Sequence, residues 1–143
     1  MNNPGDIEWQ NRIIKHQQRR PKTWQTFYEP YKLPLIIRNS VKEQCLLVDS
    51  LGTWVANFLD LSDRSWLKIT KNLQESVTMT SSTVIFVGEE TGWGVIPAYA
   101  SGRLFRDRLG HLLRQIGSAA DTVYLVTGGH AIDISVLGIP LKS

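Results

Sequence analysis

Two apolar runs, each closed by acidic residues, constrain this chain more than any other feature. Cys45-Leu-Leu-Val48 runs into Asp49, and Thr83-Val-Ile-Phe-Val87 runs into Gly88-Glu89-Glu90. Neither alternates apolar with polar side chains, the pattern expected of strands in a parallel sheet covered on both faces. Thr122-Val-Tyr-Leu-Val126, ending in Thr127-Gly128-Gly129, repeats the pattern and is expected to be a third such strand.

Helical periodicity fills the intervals. Trp66, Ile69, Leu73 and Val77 recur at helical spacing, and Leu104, Phe105, Leu109, Leu112, Leu113 and Ile116 form a broader stripe. Alternation of strand and helix predicts an α/β fold with a mostly parallel sheet and helices on both faces. A chain of 143 residues fits one domain, here 1–143. Upstream, Asp6–Arg19 reads as a helix stopped by Pro21, and Thr23–Tyr28 as a short strand. The stretch from His130 to Ser143 reads as an extra strand and tail.

No apolar run approaches the roughly 20 residues that span a bilayer, and MNNPGDIEWQ carries no secretory signature. A cytoplasmic location without a membrane span is expected. The one cysteine, Cys45, cannot form an internal disulfide and is expected to be buried as a small hydrophobe.

The formal charge of +3 is localised. Arg12, Lys15, Arg19, Arg20 and Lys22 oppose only Asp6 and Glu8 in residues 1–22, and the rest of the chain is balanced. Such a cluster suits a nucleotide's phosphates or a nucleic acid backbone; the segment is short and the rest neutral, so no nucleic acid partner is expected. Within it, Arg12, His16 and Arg19 or Arg20 lie near one another if helical. Neighbouring cations disfavour the imidazolium and leave a His16 ring nitrogen free to attack. His111 and His130 are read as structural, the latter in a turn.

Ligands of open parallel sheets bind beyond the carboxyl ends of the strands. Asp49 and Ser50 after one run, and Glu89, Glu90, Thr91 and Gly92 after another, are therefore candidates. A strand-end carboxylate such as Asp49 is a common holder of Mg²⁺ in phosphoryl-transfer proteins. Gly88-Glu-Glu-Thr-Gly-Trp-Gly94 contains glycines but no Lys-Ser or Lys-Thr, so it is not a phosphate-cradling P-loop.

Four segments in order resemble one family. RIIKHQQRRPKTW (residues 12–24) matches RIxxHxxxRPxxW, and LLVDSLGTWVANFL (46–59) is similar to an acidic strand end followed by a helix with an Asn. VIFVGEETGWGVIP (84–97) resembles VxxxNEVGxGxVP, and GRLFRDRLGHLLRQIGSAADTVYLV (102–126) resembles RxFRDxxGxxNxxLAxxADxVYLV. The family is adenosylcobinamide kinase / adenosylcobinamide-phosphate guanylyltransferase, of cobalamin biosynthesis. The resemblance implies a P-loop NTPase (RecA-like) fold, a homo-oligomer (a trimer), and two reactions. These are phosphorylation of adenosylcobinamide, then transfer of GMP from GTP to the resulting phosphate.

By that resemblance His16 is the guanylylated histidine. Gln17, Gln18, Arg19, Arg20 and Asp49 contact the nucleotide, Asp49 also serving Mg²⁺, with GTP (or ATP) as donor. The family's opening strand and GxxxxGK(S/T) loop have no counterpart here, so the chain is expected to match the C-terminal three quarters of the family, as a truncated product or late start. A truncated or inactive nucleotide-binding paralogue is the alternative. The family's Glu after the Trp is Tyr28, with Glu29 next, and the Asn of its NE pair is Glu89.

Overall fold

A computed structural model describes residues 20–141, in two units that divide after Pro30. The expected helix Asp6–Arg19 lies outside the described residues. In the first unit, the segment expected to be a strand, Thr23–Tyr28, is not one. It begins in a turn, where Trp24 N–H donates to Pro21 C=O at 3.0 Å, and continues without strand pairing. A strand exists through its ladder, and no described neighbour supplies one here.

The second unit opens with α1 (Leu33–Arg38), a helix not expected from the sequence, with Pro34 in the first turn where its missing N–H costs nothing. Strand β1 (Cys45–Asp49) follows, then α2 (Leu51–Ala56), α3 (Asp63–Met79) and β2 (Thr83–Val87). The two strands pair in parallel, with Leu46 opposite Val84, Val48 opposite Phe86 and Asp49 opposite Val87. Both runs identified in the sequence are thus strands of one parallel sheet in a mixed α/β fold.

One face of that sheet carries the core. Leu46, Val48, Val84 and Phe86 pack against a helical cluster of Leu33, Ile37, Leu51, Val55, Leu73, Leu109, Leu112 and Ile116. Helix α4 (Ala100–Ala119) lies against α2 and α3, and α1 packs on α3. The opposite sheet face, with Leu47, Ile85 and Val87, is exposed. Helices on both faces were expected; among the described residues they cover one. Cys45 falls on the exposed face, against the expectation that it is buried, because strand alternation turns every second side chain outward.

The helical stripes behave as the periodicity requires. Trp66 and Leu73 are buried and Ile69 and Val77 half-buried on α3, which Ser62 caps by accepting from Ser65 N–H at 3.3 Å. Ser40 Oγ donates to Ile37 C=O at 2.6 Å and meets Thr80 Oγ1 and Ser82 Oγ at 3.1 and 2.6 Å, tying the end of α1 to that of α3.

The third apolar run departs from expectation. It forms β3 (Tyr124–Thr127), which pairs antiparallel with β4 (His130–Asp133) in a separate hairpin. Gly128 and Gly129 adopt φ of 57° and 75°, the left-handed pair that a two-residue hairpin turn needs and that glycine supplies without strain. His130 therefore opens a strand instead of lying in the turn, its Nδ1 2.9 Å from Gly128 O. The short α5 (Ile134–Leu137) follows, capped by Asp133 Oδ1, which accepts from Ser135 and Val136 N–H at 2.9 and 3.3 Å.

Candidate functional site at the strand ends

The carboxyl ends of β1 and β2 meet over the start of α2. Asp49 closes β1, and its chain turns at once into Ser50, whose Oγ accepts from Thr53 N–H at 3.3 Å and caps α2. Ser50 is buried. From β2, two residues beyond Val87, the Glu89 carboxylate reaches across to this turn. Its Oε1 accepts from Ser50 Oγ, and its Oε2 accepts from Gly52 N–H at 3.0 Å.

Gly52 makes that approach possible. A Cβ at position 52 would lie 2.1 Å from Glu89 Oε2, well inside contact distance. Two strands remote in sequence are thus joined by one carboxylate with both oxygens in use. Glu90 turns the other way, accepting from Gly92 N–H at 2.6 Å, and Arg106 donates to Gly92 C=O at 3.0 Å. Arg103 donates to the carbonyls of Pro97 and Ala98 at 3.0 and 2.7 Å. The loop between β2 and α4 is therefore held by its own acid and by two arginines of α4, while Trp93 and Tyr99 on it stay exposed.

A second polar device lies at the other end of α2. Arg108 of α4 is 5% exposed, and its guanidinium donates to the carbonyls of Phe58 and Leu61 at 2.7 and 2.6 Å and to Asp63 Oδ1 at 3.0 Å. It also lies 5.4 Å from the ring centroid of Trp66. Trp54, Phe58 and Trp66 pack as tilted and edge-on rings with centroids 4.8 to 6.2 Å apart. Arg108 thereby fixes the link from α2 to α3.

Of the residues expected to form the site, Asp49 and Arg20 are described. Asp49 stands at the strand end, as expected. Arg20 belongs to the first unit, where its Nη1 donates to Thr26 Oγ1 at 3.2 Å. His16, Gln17, Gln18 and Arg19 lie outside the described residues. His111 is half-buried on α4, its Nδ1 3.3 Å from Arg114 Nη2. Gly52 and Arg108 were not anticipated: a glycine entering a helix, and an arginine with Leu104, Phe105 and Leu112 at helical spacing from it, were the available signals.

The donor set at the strand ends suits a hard cation. Carboxylate oxygens are what Mg²⁺ accepts, and it commonly takes one or two of them alongside substrate phosphates and water. No cluster of three or more His, Cys, Asp or Glu side chains arranged to hold a metal occurs among the described residues. No described helix is long and apolar enough to cross a membrane.

Residues 2–134 match the family described as cobinamide kinase / cobinamide phosphate guanyltransferase. The bifunctional adenosylcobalamin biosynthesis protein CobP of Pseudomonas aeruginosa is 34% identical over 140 residues, covering 96% of this chain and 77% of that protein. The bifunctional adenosylcobalamin biosynthesis protein CobU of Escherichia coli is 28% identical and that of Salmonella typhimurium 26%, each alignment covering 90% of this chain and 80% of the relative. With the family match running from before the basic segment to the end of the β3–β4 hairpin, the chain belongs to the cobinamide kinase / cobinamide phosphate guanyltransferase family.

Proposed function

We propose that this chain transfers GMP from GTP to adenosylcobinamide phosphate through a guanylyl-histidine at His16. The observation that carries the reading is Asp49 at the carboxyl end of a parallel strand, where α/β sheets bind nucleotides, directly before the Ser50 turn that Glu89 holds from beyond the paired strand. The family supplies the reaction class.

In the first step a neutral His16 ring nitrogen attacks the α-phosphorus of GTP. A P–N bond forms as the bond to the bridging oxygen breaks, and pyrophosphate leaves with that electron pair. Arg19 and Arg20 stabilise charge on the phosphate oxygens, and Gln17 and Gln18 complete the nucleotide contact. Asp49 would hold Mg²⁺, which when bound would neutralise charge on the phosphates. In the second step a phosphate oxygen of adenosylcobinamide phosphate attacks the same phosphorus, the P–N bond breaks, and the imidazole is restored. The working enzyme on this reading is a cytoplasmic homo-oligomer, a trimer.

The test is the mass of the protein after incubation with GTP and Mg²⁺. A GMP adduct that is absent from His16→Ala and discharged by adenosylcobinamide phosphate is expected. No adduct with wild type would instead favour a nucleotide-binding paralogue without turnover, and an adduct surviving His16→Ala would refute the assignment. Phosphorylation of adenosylcobinamide, the family's other reaction, is assayed alongside with ATP or GTP as donor.

A further inference from the structure

We infer that Glu89 is a positioning residue that presets Asp49 for its metal–nucleotide ligand, an inference that rests on the role proposed for Asp49. Asp49 is the last residue of β1, and the turn into α2 begins at its neighbour Ser50. That turn is gripped at two points by one side chain just beyond the neighbouring strand. Glu89 takes the Ser50 hydroxyl on Oε1 and the Gly52 N–H on Oε2, bracketing the residues that directly follow Asp49.

The chemistry of the grip is specific. Ser50 Oγ is simultaneously donor to Glu89 and acceptor from Thr53 N–H, so the carboxylate also fixes the rotamer of the cap. Two donors point at one residue, and a carboxylate offers an oxygen to each. An amide can keep both contacts only if the Ser50 hydroxyl reverses to accept. At Gly52 a side chain would collide with Oε2, so the glycine and the glutamate form a matched pair. The Asn of the family pattern is replaced here by Glu89, and its carboxylate spans from β2 to the β1–α2 turn. Residues that orient a metal ligand without touching the metal typically change its affinity by about 10- to 100-fold when removed.

The experiment uses the full chain, with Mn²⁺ as a spin probe and the α,β-methylene analogue of GTP, which cannot release pyrophosphate. Free and bound Mn²⁺ are read by electron paramagnetic resonance for wild type, Glu89→Ala, Glu89→Gln, Gly52→Ala and Asp49→Asn, with thermal melting in parallel. Glu89→Ala is expected to weaken Mn²⁺ binding by roughly tenfold, the low end of that range because Glu89 itself remains exposed. Glu89→Gln is expected to stay within about threefold of wild type, since both contacts can be rebuilt. Gly52→Ala, which leaves the carboxylate but crowds its seat, is expected to behave like Glu89→Ala and serves if that variant fails to fold.

Unchanged Mn²⁺ affinity in both Glu89→Ala and Gly52→Ala, with Asp49→Asn weakened, overturns the positioning role alone. A loss in Glu89→Gln equal to that in Glu89→Ala overturns it in favour of a direct charge effect. Wild-type affinity in Asp49→Asn overturns the metal role of Asp49 and this inference with it.

Discussion

Arg108→Met should cost this fold about 3 kcal/mol, and almost none of that should come from the ion pair. The guanidinium makes two short charge-assisted bonds to the carbonyls of Phe58 and Leu61, at 2.7 and 2.6 Å. Bonds of that kind contribute about 1.5–3 kcal/mol each, and a buried carbonyl left bare adds its own desolvation cost. Two terms offset this: Arg108 Nε is buried without a partner among the described residues, and methionine retains packing against Trp66. The salt bridge to Asp63 is a minor contributor, because that carboxylate is 87% exposed and rehydrates easily. Asp63→Asn should therefore cost under about 1 kcal/mol. Urea unfolding followed by tryptophan fluorescence measures both, Trp66 lying beside the substituted side chain; Arg108→Met should also melt about 10 °C lower. An Arg108→Met midpoint within about 1 kcal/mol of wild type, or an Asp63→Asn loss equal to it, would show that the carbonyl bonds do not hold the link between α2 and α3.

Leu73 is fully buried at the centre of the α3 stripe, so Leu73→Ala should lose about 2–5 kcal/mol in the same unfolding assay. Gly52→Ala should separate stability from ligand binding. Alanine favours the helix by about 1 kcal/mol and the atom it strikes is the mobile end of Glu89, so the melting temperature should hold or rise while metal–nucleotide affinity falls.

The apolar runs at 45–48 and 83–87 and the stripes on α3 and α4 were legible in the sequence because periodicity is a local property. The family resemblance was legible for a similar reason, since four spaced motifs survive in a linear reading. The hairpin departs from the expected parallel strand although its signal is in the sequence. Gly128-Gly129 between two short apolar segments is a hairpin turn, but the run before it looked like the two true parallel strands. The strand expected at Thr23–Tyr28 failed for the opposite reason, its side chains suiting a strand that no described partner completes.

Asp49 could be named from the sequence because an acid closing an apolar strand is a pattern along the chain. The Glu89 grip on Ser50 and Gly52 could not, because its partners stand 39 and 37 residues away and meet only when β1 and β2 pair in register. The same holds for Arg108, whose carbonyl partners lie 50 and 47 residues upstream and whose burial depends on α4 packing over the end of α2. Local order along the chain selects strand or helix, whereas satisfying a buried donor or seating a carboxylate depends on distances that exist only after the layers have closed.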